Sequence, residues 1–248
     1  MTSEERFVFD LEGYLIIKNA LSDAEVDALN TLADASFPGR DPARTSRMEQ
    51  VSRWGQATKD LIDHPSIVPY LLELIGPKFR IDHDYCIFMH QGNTRGRLHG
   101  GHDRGTDQWF SYRDGEIRNG LCAVTFSLTA ANPGDGGFCC IPGSHKTNFR
   151  SCLPEDVRNF ERLPRYVVQP ALKAGDALIF TEALIHGTLP WRGAHERRTL
   201  LYKYSPGHTS WAREFYRLDD YGELSEEQKR IMATPSIHDH PEVVQRDS

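Results

Sequence analysis

Apolar residues recur at helical spacing in the first third of the chain and in short strand-like runs from residue 79 onward. After Ser22, the segment DAEVDALNTLADA sets Val26, Leu29 and Leu32 on one helical face. A capping serine and acidic first-turn residues precede them. Pro65 opens a second helix, SIVPYLLELIG, which Gly76 and Pro77 stop. Ahead of both, residues 6–18 read as a short amphipathic turn leading into an apolar strand, and residues 40–60 read as polar and irregular. From residue 79 the texture changes. FRIDHDYCIFMHQ and IRNGLCAVTFSLTA are rich in β-branched and aromatic residues, and GGFCCIPGSH, YVVQPALKAG, DALIFTEALIHG and RRTLLYKYSP follow between Gly, Pro and Asp turns. Such punctuation predicts a mainly β sandwich or barrel with flanking helices on one face. A charged helix, SEEQKRIM, and a Pro- and His-containing coil follow. No repeat or linker divides residues 1–248, so one domain is expected. Its parts are a helical segment over 20–76, a β core over about 79–206 and a tail over 222–248.

Composition narrows the function classes. The net charge of -6 argues against a nucleic-acid polymer or a membrane surface as partner, because both need a basic footprint. No apolar run approaches the ~18 residues of a membrane span. The start, MTSEERFVFDLEG, is acidic and has no apolar h-region, so a cytoplasmic enzyme without a signal peptide is expected. Five cysteines without a CxxC pair suggest neither a disulfide framework nor a zinc site. Cys122, Cys139 and Cys140 lie in apolar runs and read as small buried hydrophobes.

Candidate chemistry rests on context, because a lone histidine is more often a hydrogen-bonded core or surface residue than a ligand. His99 and His102 lie in RGRLHGGHDRG, His186 follows an apolar strand in DALIFTEALIHG, and His145 closes the turn PGSH. Two histidines at strand ends can meet in the mouth of a barrel, and a barrel of about eight strands holds one small ligand. Two histidines, at most one carboxylate and open positions are what Fe(II) oxygenases use. Open positions matter because cosubstrate and O2 must both reach the metal. Arg197 follows His186 after one strand and a Pro-Trp turn. Adjacent strand residues face opposite sides, so one of Arg197 and Arg198 should point inward, where a guanidinium can clamp a carboxylate. Arg95, Arg97, Arg104 and Arg118 gather along the same stretch. They form either a solvated face or a surface that recognises an anionic group.

Together these residues resemble the phytanoyl-CoA dioxygenase family of Fe(II)/2-oxoglutarate oxygenases, over roughly residues 8–206. DLEGYLIIKNALSDAEVDAL is similar to the family's opening strand and helix, and NPGDGGFCCIPGSHK to its P-G-S-H-K hairpin. KAGDALIFTEALIHGTLPW resembles the strand that ends in the distal histidine ligand, and ERRTLLYKYSP the strand carrying the 2-oxoglutarate arginine. The resemblance implies a double-stranded β-helix (a cupin-like jelly roll). It implies His99 and His186 as iron ligands, Arg197 gripping the distal carboxylate of 2-oxoglutarate, and Thr188 assisting that grip. It also implies a mainly structural turn around His145.

The chain departs from the family at one point. The proximal motif is His-x-Asp, and here it reads His99, Gly100, Gly101. Three explanations are open. The preferred one is that the gap is functional. His-x-Gly resembles the Fe(II)/2-oxoglutarate halogenases, in which the vacancy beside Gly101 leaves room for chloride at the iron. The implied reaction is chlorination of an unactivated C–H bond in a freestanding small anionic metabolite of secondary metabolism. A purine nucleotide, as in 2′-chloropentostatin-type pathways, is one such substrate. Two glycines let the backbone approach the metal, and a continuing strand would aim residues 99 and 101 at one face. The second explanation is a hydroxylase in which Asp103 or Asp107 swings in; residue 103 would share that face about 7 Å further on. The third is a non-catalytic jelly-roll binding protein. His102, Arg97 and Arg118 are further candidates for contacting the substrate or the metal's surroundings, although the strand phase of His102 opposes that of His99. The expected ligands are therefore Fe(II), 2-oxoglutarate, O2, chloride and a small molecule.

Overall fold

Two capping boxes set the first helices. Thr2 caps α1 (Ser3–Glu12) and Ser22 caps α2 (Asp23–Ser36), with Glu5 and Glu25 reaching back to the cap N–H groups. The sequence reading made α1 only a short turn, but Thr2 and Glu5 satisfy enough of its free N–H groups to sustain ten residues. The structure, a computed structural model, describes residues 1–103 and 105–244. After α1 and α2 come β1 (Tyr14–Ile17), β2 (Ser46–Glu49), α3 (Gln56–Lys59), α4 (Val68–Leu74) and β3 (Phe79–Met89). Then follow β4 (Arg95–His99), β5 (Phe110–Arg113), β6 (Glu116–Asn119), β7 (Cys122–Ser127) and β8 (Gly137–Cys140). The remaining elements are α5 (Glu155–Arg158), β9 (Ala177–Thr181), β10 (His186–Leu189), β11 (Arg197–Pro206) and α6 (Glu226–Ile231).

The strands form the jelly roll expected from the sequence. A six-stranded antiparallel sheet runs β1-β9-β7-β11-β3-β2, a three-stranded sheet runs β4-β10-β8, and β5 and β6 make a separate hairpin. The large sheet separates two cores. On β11, Leu200, Tyr202 and Tyr204 pack outward under the helices, while Arg197, Leu201 and Lys203 line a cavity on the other side. The same two-residue period places Val124 and Phe126 of β7, and Ala177 and Ile179 of β9, in the outer core. Burying each large side chain of that row contributes roughly 1.5–3 kcal/mol, which fixes the helices to the sheet. The hydroxyls of Tyr202 and Tyr204 donate to the carbonyls of Thr58 and Ile62, so no polar atom is stranded there.

Three segments differ from the sequence reading. Residues 40–60 contain β2, whose pairing with β3 brings Arg47 to the sheet edge. The run 117–130 splits at Gly120, leaving β6 with the hairpin and β7 in the large sheet. YVVQPALKAG forms no strand among the described residues; one isolated bridge, Cys140–Val168, ties it to β8, and another, Ala131–Leu172, ties it to the connection between β7 and β8. Cys122, Cys139 and Cys140 are buried and unpaired, as their apolar context implied. No helix among the described residues is long and apolar enough to cross a membrane.

Candidate metal centre

The pairing of β4 with β10 sets His99 directly opposite His186. Their rings stand 4.4 Å apart. Each ring is oriented by the chain two residues before it. His99 Nδ1 donates to the carbonyl of Arg97 and His186 Nδ1 to that of Leu184, both at 2.8 Å. A carbonyl only accepts, so each Nδ1 carries the proton and each Nε2 keeps its lone pair. This backbone-held tautomer is the arrangement a histidine ligand needs. Burial pushes the pKa of His186 down to about 4, so the ring is neutral at pH 7.

The strand stops at His99, and Gly100 and Gly101 follow at φ +84° and +94°. The period-2 argument that aimed residues 99, 101 and 103 at one face therefore fails. Gly100 passes so close to the turn before β10 that a Cβ there would lie 2.4 Å from the carbonyl oxygen of Leu184. A Cβ at Gly101 would meet the side chain of Arg150 at 2.6 Å. A side chain at position 101 would thus turn against Arg150, in a backbone region that favours glycine.

Between the two sheets lies a cavity of about 470 Å³, lined by His99, His186, Thr188, Arg197, Lys203 and Thr125 among others. Arg197 is 4% exposed and makes no hydrogen bond or ion pair to a carboxylate among the described residues; its Nη1 lies 3.8 Å from Met89 Sδ. Burial, then the charge of Arg95, pushes its pKa down to about 10, which still leaves it charged. Arg198 faces outward to Asp34 and Glu196, as strand alternation requires. Phe180 packs 4.7 Å from the His186 ring and walls the site on one side.

Lys203 and Glu182 form a buried ion pair beside the histidines. Burial raises the Glu182 carboxyl, but Lys203 and then His186 more than reverse this and hold it at about 2. Its second oxygen, Oε2, lies 3.8 Å from His186 Nε2. Neither residue stood out in the sequence. Lys203 could have been found by continuing the inward row 197, 199, 201, 203. Glu182 is a lone carboxylate in an otherwise apolar strand end, four residues before His186. Thr125 was also missed; its Oγ1 is buried without a hydrogen-bond partner and lies on the cavity wall.

The other sequence candidates scatter. Arg97 lines the cavity edge and pairs with Glu155 at 2.8 Å, and Arg95 and Arg47 lie beside it. Arg118 sits on the β5–β6 hairpin, paired with Glu116, away from the cavity. His102 accepts from the Phe110 N–H and lines a separate cavity with Asp103, His145 and Arg150. Asp103 is held by the Gly105 N–H and by Arg150, and Asp107 by the hydroxyls of Ser205 and Thr209. Neither aspartate reaches the histidine pair, because the glycine turn sends the chain away from it. Arg104 lies outside the described residues. His145 is buried against Phe110, with Nε2 bonded to the carbonyl of Asp10, and serves the turn.

A family profile described as Phytanoyl-CoA dioxygenase (PhyH) matches residues 9–199. Comparison with curated protein sequences gives no match. Among solved structures, HygX from Streptomyces hygroscopicus with nickel and 2-oxoglutarate bound is similar at 22% identity and a TM-score of 0.75, covering 90% of this chain and 95% of that one. HygX with nickel, 2-oxoglutarate and hygromycin B bound gives the same identity and TM-score over 98% of both chains. SnoK, a non-heme alpha ketoglutarate dependent carbocyclase from nogalamycin biosynthesis, is similar at 17% identity and a TM-score of 0.63, over 84% of this chain and 85% of that one. At these identities the likeness is one of fold.

Proposed function

We propose, because the chain belongs to the phytanoyl-CoA dioxygenase family, that it is an Fe(II)/2-oxoglutarate-dependent oxidoreductase acting on a small anionic molecule. The observation that carries this reading is the histidine pair, with both Nε2 lone pairs freed by backbone carbonyls, in one cavity with the unneutralised Arg197. Two imidazoles suit iron, and a buried guanidinium without a counter-charge suits a carboxylate cosubstrate. His99 and His186 would hold the metal, while Arg197 and Thr188 would grip the far carboxylate of 2-oxoglutarate. With Fe(II) bound, the site supplies oxidation by O2 coupled to conversion of 2-oxoglutarate into succinate and CO2. Phe138 and Phe180 exclude water from the His186 side. Arg47 and Arg95 line the same cavity and support an anionic substrate. That HygX has been solved with nickel, 2-oxoglutarate and hygromycin B supports a small-molecule substrate in this fold.

Two reactions fit the class. Oxygenation turns R–H into R–OH. Chlorination turns R–H and chloride into R–Cl, with a proton taken up and water released. The glycine at position 101 favours the second, since it brings no carboxylate to the pair. The test is anaerobic addition of Fe(II) and 2-oxoglutarate, followed by O2 and candidate substrates with and without chloride or bromide. A visible band of the chelate that is lost in His99→Ala, and succinate formation, are expected. Absence of the band in the native protein would end the iron reading. A product mass that follows the halide would select chlorination, and a hydroxylated product indifferent to halide would exclude it.

A further inference from the structure

We infer that Arg95 and Arg47 form a phosphate subsite at the mouth of the histidine cavity, so that the substrate is a small phosphomonoester held between them by its phosphate group. The inference rests on the function proposed above and names its substrate class.

Five Arg and Lys side chains line the cavity, and no acidic side chain does among the described residues. Three of the five have a task. Lys203 is paired with Glu182 and Arg97 with Glu155, and Arg197 suits the far carboxylate of 2-oxoglutarate. Arg95 and Arg47 remain. The Arg95 guanidinium is half-buried and has no hydrogen bond or ion pair among the described residues. Burial, and then the charge of Arg47, push its pKa down, so the two guanidiniums stand close enough to repel. A desolvated charge beside a like charge is unfavourable until an anion arrives. In a chain of net charge -6 such a pair is a local device and not part of a general basic surface.

The two arginines come from opposite sheets. Arg47 lies on β2, the edge strand of the large sheet, opposite Ile87 of β3. Arg95 opens β4 in the small sheet, opposite Thr188 of β10. The Arg47 guanidinium lies over the Tyr85 ring, 3.7 Å from its centroid, and its Nε donates to Glu49. Ring and carboxylate orient the fork, and both Nη groups reach no acceptor among the described residues. A carboxylate is planar and offers two oxygens, which one guanidinium takes up. Two guanidiniums approaching from different sheets need a further oxygen. A phosphomonoester offers three, in tetrahedral directions, with a charge of about -1.5 to -2 at pH 7. The cavity of about 470 Å³ must also admit 2-oxoglutarate, so the body that carries the phosphate is small. With the phosphate at the mouth, that body extends toward His99 and His186.

The test is calorimetry without oxygen on protein loaded with Mn(II) and 2-oxoglutarate, with inorganic phosphate, phenyl phosphate and acetate as probes. We expect both phosphates to bind, and acetate to bind at least about tenfold more weakly. Bound Mn(II) should broaden the phosphorus-31 resonance of phenyl phosphate, because both share one cavity, and Arg95→Met should abolish the broadening. In Arg95→Met, checked for folding by circular dichroism, phosphate affinity should fall at least about tenfold with 2-oxoglutarate affinity unchanged, and Arg197→Met should do the reverse. Arg47→Met, at the exposed rim, should weaken phosphate binding as well. Native phosphate affinity in both the Arg95 and Arg47 variants would overturn the inference, as would acetate binding as tightly as phosphate. A loss of 2-oxoglutarate affinity in Arg95→Met equal to that in Arg197→Met would assign Arg95 to the cosubstrate and also overturn it. Inorganic phosphate binding without phenyl phosphate would mark an effector site and sink the substrate class. If the native protein binds neither Mn(II) nor 2-oxoglutarate, the iron reading itself fails; if it binds both but no phosphate, only the phosphate subsite falls.

Discussion

Replacing Arg197 by methionine tests the cosubstrate grip through stability rather than turnover. Methionine keeps much of the length and removes the charge. In the native protein the guanidinium is buried and lacks a carboxylate partner among the described residues. Its charge is therefore desolvated before any ligand arrives, and a ligand carboxylate would complete the pair. Truncating one member of such a buried charged pair costs about 2–5 kcal/mol, or about 30-fold to several thousand-fold in Kd. At a 2-oxoglutarate concentration of about 100 Kd, binding stabilises the native protein by about 2.7 kcal/mol. In a chain of 248 residues that raises Tm by about 5–10 °C. With Kd weakened about 30-fold, the same concentration gives about 0.9 kcal/mol and a rise of about 2–4 °C. Without ligand the variant should melt no lower than the native protein, because a desolvated charge has been removed. The assay is thermal unfolding without oxygen, with Mn(II) in place of Fe(II) and 2-oxoglutarate titrated in. A full native shift in Arg197→Met would refute the reasoning. So would a ligand-free loss above about 2 kcal/mol, which would mean that Arg197 serves the fold.

Gly100→Ala should lose about 2 kcal/mol or more, since it combines φ +84° with a Cβ 2.4 Å from a carbonyl oxygen; chemical denaturation measures the loss, and a neutral effect would contradict the tight passage over Leu184. Gly101→Asp should cost about 1–2 kcal/mol, and adding Arg150→Ala should recover the steric part but not the part due to φ; a double-mutant cycle with no coupling would show that Arg150 does not crowd the site. His145 is buried, and burial followed by the nearby Lys146 pushes its pKa down to about 4. A lowered histidine pKa means that the unfolded chain takes up the proton first, so stability should fall as pH drops from about 6.5 to about 4, by up to about 3 kcal/mol for this group. Denaturant titrations should show a shallower limb in His145→Asn, and an unchanged limb would assign the acid sensitivity to other groups. The Glu182 carboxyl acts in the same direction at lower pH: its pKa is lowered to about 2, with Lys203 outweighing the opposing effect of burial, so its contribution is complete above about 4.5 and is lost on further acidification; the paired variant Glu182→Gln, Lys203→Met, which strands no lysine, should remove that limb from the acid-unfolding curve, and an unchanged limb would assign it to other groups.

Most of the frame was legible from spacing. The helix after Ser22, the β texture from residue 79 and the C-terminal helix all follow from local periodicity and caps, because those signals act over a few residues. The inward choice of Arg197 over Arg198 needed only strand alternation, and the partners Asp34 and Glu196 of Arg198 fit it. Local reasoning missed α1, where a capping box outweighs a weak apolar pattern. It also carried a strand through Gly100 and Gly101, whose positive φ angles end it.

The chain's sequence by itself determined the elements, the facing of side chains within each strand and the absence of an aspartate two residues after His99. It did so because propensity, alternation and residue identity are local properties. Only the tertiary structure decided what fills the space around the histidines. The register of β4 against β10 brought His99 to His186. The packing of β11 beside the turn before β10 brought Lys203 to Glu182, and the glycine turn carried Asp103 to a different cavity. Those outcomes depend on contacts between residues far apart in the chain, where the desolvation of a charge is offset by a partner that no local pattern specifies.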